Sequence, residues 1–226
     1  MSDGYQALRI ENPVHSAQSR SMNTSWKTML VATLGAMSMA AAEDPVDRTL
    51  TVVVYDYAGL SDRFMNDVEG LSSVLLSRAG IRTEWVHCLG HQQGQRPAFC
   101  DGDLGTSSVL IRILGAHPAG PTNKLGDPLG SAIVANSFAS LYASETRKYA
   151  DHNGLPAETL MAYAMTHEIG HLLLGEKHAR SGIMRAVWGK TEYREMAQRW
   201  LGLSTEERQA LRRVLPADSQ PVAALK

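Results

Sequence analysis

A chain of 226 residues, 44% of them hydrophobic, is long enough to bury one sizeable core and short for two. Its 22 basic residues stand against 23 acidic ones, with no long run of either sign, which excludes an electrostatic case for nucleic acid or an anionic membrane surface as partner. Peptides or proteins are the expected partners, and a monomer the expected state.

Residues 1–42 differ from the rest of the chain. Lys27, an apolar stretch of small residues over 28–42 and the run Ala40, Ala41 and Ala42 before Glu43 and Asp44 have the order of a secretory signal peptide cleaved after Ala42. That predicts export, to the periplasm or out of the cell. The apolar stretch is shorter than the roughly 20 residues that cross a bilayer, so no stable membrane span is expected after cleavage. Residues 1–21 carry no such logic, and 1–42 are set aside from the catalytic or binding domain expected over 43–226. The two cysteines, Cys88 and Cys100, can close a disulfide in an oxidising compartment. A structural metal site on Cys88, His91 and Cys100 is the alternative use of the same thiols, without a recognisable ligand spacing.

Along the domain, 50–57 is β-branched and aromatic and nearly continuous in apolar character, as a central strand covered on both faces should be. Ser61 is a candidate N-cap, and Phe64, Val68, Leu71 and Leu75 then recur at helical spacing up to Gly80. Residues 81–88 read as a second strand and 109–114 as a third, with a Gly- and Asp-rich loop between them. The stretch 115–130, with three prolines and four glycines, reads as a surface loop, and 131–136 as an edge strand. Residues 138–150 and 156–174 read as helices, 192–200 as a further candidate, and 204–215 as a closing helix with Ser204 and Glu207 at capping-box spacing. Strand, helix, strand, loop and strand in this order predict an α/β (α+β) domain with a mostly parallel sheet and an antiparallel edge strand.

The chemistry concentrates in His167-Glu168-Ile169-Gly170-His171, inside a run of good helix formers. Residues four apart share a helix face, so both imidazoles can bind one metal ion while Glu168 stands beside them. Gly175 can take a positive φ, end the helix and turn the chain so that His178 reaches the same ion. A catalytic zinc takes three protein ligands and leaves one position open. Glu192 and Glu195 are the alternative source of a third ligand, although a solvated surface is the plainer reading of both. Surface exposure is also the plain reading of His91, His117 and His152, and core packing that of Met161 and Met165.

With Met184 following in Ser181-Gly182-Ile183-Met184-Arg185, the chain resembles the metzincin clan of zinc peptidases, whose signature is a His-Glu-x-x-His helix, a glycine turn, a third histidine and a methionine turn. The resemblance implies Zn²⁺ on His167, His171 and His178, Glu168 as the general base for an attacking water, and Met184 beneath the metal. It further implies a peptide lying along an edge strand, here Ser131, Ala132, Ile133, Val134, Ala135 and Asn136 by order along the chain. Two departures stand out. Leu172, Leu173 and Leu174 are three residues where the pattern has two before the glycine, which either lengthens the helix or takes His178 off the metal. Ala186 occupies the place of a tyrosine that some members carry. Trp188 and Tyr193 are candidates to line a pocket. Besides an exported zinc endopeptidase, a carboxylate-ligated peptidase and a non-catalytic zinc-containing peptide-binding protein remain open. Against the last stands Glu168, since a purely structural site has no need of a base.

Overall fold

The computed structural model describes residues 48–88, 100, 105–118 and 128–217. All of them belong to the unit Glu43–Lys226, the larger of two into which the chain divides. The expected signal segment and His91 lie outside the described residues.

Five strands form one sheet: β1 (Arg48–Asp56), β2 (Ile81–His87), β3 (Ser108–Leu114), β4 (Gly130–Ile133) and β5 (Phe138–Tyr142), in the spatial order β2-β1-β3-β5-β4. Every pairing is parallel except β4 with β5, which is antiparallel and leaves β4 on the edge. Helices α1 (Asp62–Ser77), α2 (Ala143–Asn153), α3 (Ala157–Leu174), α4 (Lys190–Ala197) and α5 (Thr205–Val214) complete the domain. Among the described residues no helix is long and apolar enough to cross a membrane.

Alternation along β1 explains how the sheet is covered. Leu50, Val52 and Val54 enter the main core with α1 and α3, while Val53 points the other way, to a small cluster with Cys88 and Cys100. Those two cysteines form a disulfide. Both thiols are thereby consumed, which removes the alternative metal site. Closing a loop of this length stabilises the fold by about 3 kcal/mol through the entropy it takes from the unfolded chain.

At the end of β1, both carboxylate oxygens of Asp56 accept hydrogen bonds, Oδ1 from the Ala58 and Gly59 N–H groups and Oδ2 from that of Leu60. They fix the turn into α1, whose N-cap Ser61 accepts from Phe64 N–H as its position predicts. At the other end of the chain, Ser204 and Glu207 exchange the two hydrogen bonds of a capping box at the start of α5.

Two expectations need correction. Residues 138–150 are not one helix: 138–142 form β5, and α2 starts only at Ala143. Ala139, Ser140, Leu141 and Tyr142 are buried in succession, because β5 is covered on both faces, and a short run of that kind looks the same as a buried helix segment. The edge strand is also shorter than expected. It spans Gly130–Ile133, and Val134–Asn136 turn as a short 3-10 helix into Ser137, which has φ 52°.

α3 is the central post. Every residue from Thr159 to His171 is buried, since the helix packs on α1, α2 and α5 and against β3, β4 and β5. Leu160, Met161, Met165 and Ile169 are completely enclosed, each contributing roughly 1.5–3 kcal/mol by burial. A helix held on all sides cannot easily roll, and that rigidity is what its polar residues use.

Candidate metal centre and active-site cleft

His167, Glu168 and His171 are buried side chains with titratable groups in a mostly apolar helix. His178, itself exposed, joins them. The helix continues through Leu174, so the third leucine is absorbed as one more helical residue. Gly175 then ends the helix with φ 89°, and its N–H donates to the His171 carbonyl. The chain folds back until His178 Nε2 stands 3.1 Å from His171 Nε2, which is itself 2.9 Å from His167 Nε2.

The hydrogen bonds behind the rings decide what this cluster can do. His167 Nδ1 lies 2.7 Å from the Ile183 carbonyl oxygen and His171 Nδ1 lies 3.0 Å from that of Gly175. A carbonyl only accepts, so each Nδ1 carries the proton and each Nε2 presents a bare lone pair. Two lone pairs facing each other at 2.9 Å repel unless a cation stands between them. Electrostatics agree. Burial lowers His167 to about 4, outweighing its bond to Ile183, and the neighbouring imidazoles push in the same direction. His178 is lowered by partial burial and then by His171. Neutral imidazoles with Nε2 turned inward are the donor set that fits Zn²⁺, and backbone carbonyls behind metal-binding rings are the usual way such rings are oriented.

No protein-family model matches the sequence, and neither does any curated protein. Among solved structures, archaemetzincin from Methanopyrus kandleri is 13% identical, with a TM-score of 0.48 over 77% of this chain and 98% of that one. A zinc-dependent peptidase from Methanocorpusculum labreanum is 13% identical with a TM-score of 0.48, covering 71% and 99%. Metalloproteinase-II from Bacteroides fragilis is 13% identical with a TM-score of 0.44, covering 74% and 53%. Such low overlap leaves the functional reading to the geometry of the site itself.

The turn after the helix supports the cluster from below. Ile183, which holds His167, receives Trp188 Nε1–H on the same carbonyl oxygen, and the Trp188 ring stands edge-on to His167. Ala179 N–H donates to the Met184 carbonyl, tying the His178 segment to the methionine turn. Met184 itself is buried against Gly170: a Cβ there would collide with its Sδ and stand 2.9 Å from its Cε. Gly170→Ala should therefore lose about 1–2 kcal/mol, because overpacking outweighs the helix-propensity gain. Gly70→Ala in α1 has nothing within 4 Å of the added methyl and should gain about 0.5–1 kcal/mol. Urea unfolding of the two variants beside the wild type checks the opposite signs.

Glu168 lines the same cleft as the three histidines, is not one of the group whose ligand atoms converge, and lies against the edge strand. A Cβ at Gly130 would lie 2.8 Å from Glu168 Oε1 and 2.9 Å from the Ser140 carbonyl oxygen, so glycine is what leaves the carboxylate its place. This residue fell in the predicted surface loop, yet it opens β4 and touches the catalytic candidate. Burial pushes the Glu168 carboxyl up to about 8, and a dication held alongside would pull it down again.

Glu192 is not a surface residue. It is buried, paired with Arg185 and accepting the Gly189 N–H at the start of α4. Burial alone would raise its carboxyl, but the Gly189 N–H and Arg185 outweigh that and hold it low. Among the described residues the group close enough to share an ion is His167, His171 and His178, without Glu192 or Glu195. Of the other histidines, His152 is exposed as expected but on α2 rather than in a loop, and His117 stands edge-on to Tyr142. His87 pairs with Glu69 at 3.0 Å, which raises it.

The three histidines and Glu168 open into a cleft of about 620 Å³. Gly130, Ser131, Ala132 and Val134 form one wall, and Trp188 and Tyr193 belong to the other.

Proposed function

We propose that the protein is an exported zinc-dependent endopeptidase, with Zn²⁺ on His167, His171 and His178 and with Glu168 as the general base. The observation that carries this reading is the convergence of three Nε2 atoms, two of them on rings whose Nδ1 positions are occupied by backbone carbonyls, beside a buried carboxylate that is not part of the donor set. Zinc bound there supplies a Lewis acid that polarises a peptide carbonyl and acidifies water. Glu168 takes the proton of the attacking water and hands it to the amine nitrogen as the C–N bond breaks. Among the described residues β4 is the edge strand, and its backbone can add an extended peptide as a further strand, with Ser131 and Ala132 lining the cleft. Val134, Ala135 and Asn136 belong to the turn that ends this edge. The Arg185–Glu192 pair and the Met184 contact hold the floor of the cleft in place.

Export belongs to the same reading. It is supported by the signal-like pattern of residues 28–42 and by a disulfide that oxidising compartments favour.

Metal removal tests the proposal. Dialysis against a chelator should reduce cleavage of an unstructured protein substrate at least about 100-fold, and Zn²⁺ should restore it, whereas Mg²⁺ and Ca²⁺, which prefer oxygen ligands, should not. Cleavage indifferent to the chelator would refute a metallopeptidase.

A further inference from the structure

One charged residue of the cleft takes no part in the chemistry derived so far. Beyond the end of α3, Glu176 and His178 both line the cleft, and Lys177 between them does not. The turn at Gly175 thus brings a carboxylate to the cleft and leaves the neighbouring ammonium outside it. Glu176 is exposed, and among the described residues its side chain has no ion pair or hydrogen bond. The other charged residues of the lining are already engaged: Arg185 is paired with buried Glu192, and Glu168 lies against Gly130 as the proposed base. Resting on the peptidase reading, we propose that Glu176 is a specificity determinant, selecting substrates that carry a lysine or arginine close to the bond that is cut.

Reach and charge both support that class of side chain. Successive Cα atoms are about 3.8 Å apart, so the Glu176 backbone lies within about 8 Å of that of His178. An extended peptide advances about 3.3 Å per residue, which puts the recognised residue within about three positions of the cut bond. A long cationic side chain can lay its apolar stem along the cleft and carry its head to the exposed carboxylate, whereas an acidic one brought there is repelled. Because the carboxylate is solvated, the gain is modest. It amounts to about two- to fivefold between lysine and an uncharged residue of similar length, and it shrinks as salt screens the pair.

Short alanine-rich peptides with lysine, glutamine or glutamate at one position at a time test this on the full-length, zinc-loaded protein. At one position near the cut, kcat/KM should be about two- to fivefold higher for lysine than for glutamine, with glutamate lowest, and the gap should close at about 0.5 M salt. The difference should lie in KM, since bound substrate and transition state make the contact alike. Glu176→Gln should bring the lysine-to-glutamine ratio to one, and Glu176→Lys should reverse the order of lysine and glutamate. Glu206→Gln, which removes an exposed acid of α5 outside the cleft, should leave the ratio as in the wild type. A ratio of one in the wild type, or a lysine preference that survives in Glu176→Gln, would overturn the proposal. Fluorescent versions of the peptides, titrated into zinc-loaded Glu168→Gln protein with and without Glu176→Gln, separate it from the reading it rests on. Glu176-dependent binding of the lysine peptide without cleavage by the wild type would overturn the peptidase reading and leave the charge selection standing. Cleavage without charge selection would do the reverse, and neither binding nor cleavage would overturn both.

Discussion

Glu168→Gln is expected to lower kcat/KM for peptide cleavage by about 10²–10⁴-fold while the protein still holds one zinc per chain. The division follows from where the carboxylate sits. Its Oε1 lies against Gly130 on the edge strand, and among the described residues the group able to share an ion consists of the three imidazoles. An amide has the same shape, so the close fit against Gly130 survives, and only the capacity to take a proton is lost. Elemental analysis and a cleavage assay on the same preparation check it. Zinc lost together with activity would make Glu168 a ligand, and full activity would remove it from the chemistry.

His171→Ala should have the largest effect on the metal. His171 is the middle donor, 2.9 Å from His167 Nε2 and 3.1 Å from His178 Nε2, so its removal leaves two rings without the one between them. Changing only a hydrogen-bond partner of a ligand costs roughly 10–100-fold in metal affinity, and losing the ligand itself should exceed about 100-fold. Folding reports the same quantity. Zinc at 100 times its dissociation constant stabilises a folded protein by about 2.7 kcal/mol, so added zinc should raise the Tm of the wild type and leave that of His171→Ala almost unmoved. An equal zinc-dependent rise in both would place the metal elsewhere.

Much of this site was legible because its residues are close in sequence. His167 and His171 share a face by helical spacing alone, and Gly175 and His178 need only one turn to join them. The leucine run left two outcomes open. Three-dimensional packing chose between them, since the helix is extended by one residue and Gly175 still reverses the chain in time for His178 to arrive. The sheet was also readable in outline, through its apolar strands and the single antiparallel edge.

The unread parts depend on neighbours distant along the chain. Gly130 looked like one more loop glycine, and its task is visible only when Glu168, far along the chain, is packed against it. Gly170 sat inside the signature without a stated role until Met184 proved to occupy the room where its side chain would be. β5 reads as helix in the sequence because a strand buried on both faces loses the alternation that would reveal it. Glu192 looked solvated because glutamate usually is, and only the Arg185 partner and the Gly189 N–H make its burial tolerable.

Metal content by elemental analysis of the purified wild type beside His178→Ala, with cleavage assayed on both, tests the three-histidine zinc site directly. One tightly held zinc per chain in the wild type, with zinc and cleavage both diminished by the substitution, is the expected result. A wild type that holds no zinc, or a His178→Ala protein that keeps both its zinc and its activity, would contradict it.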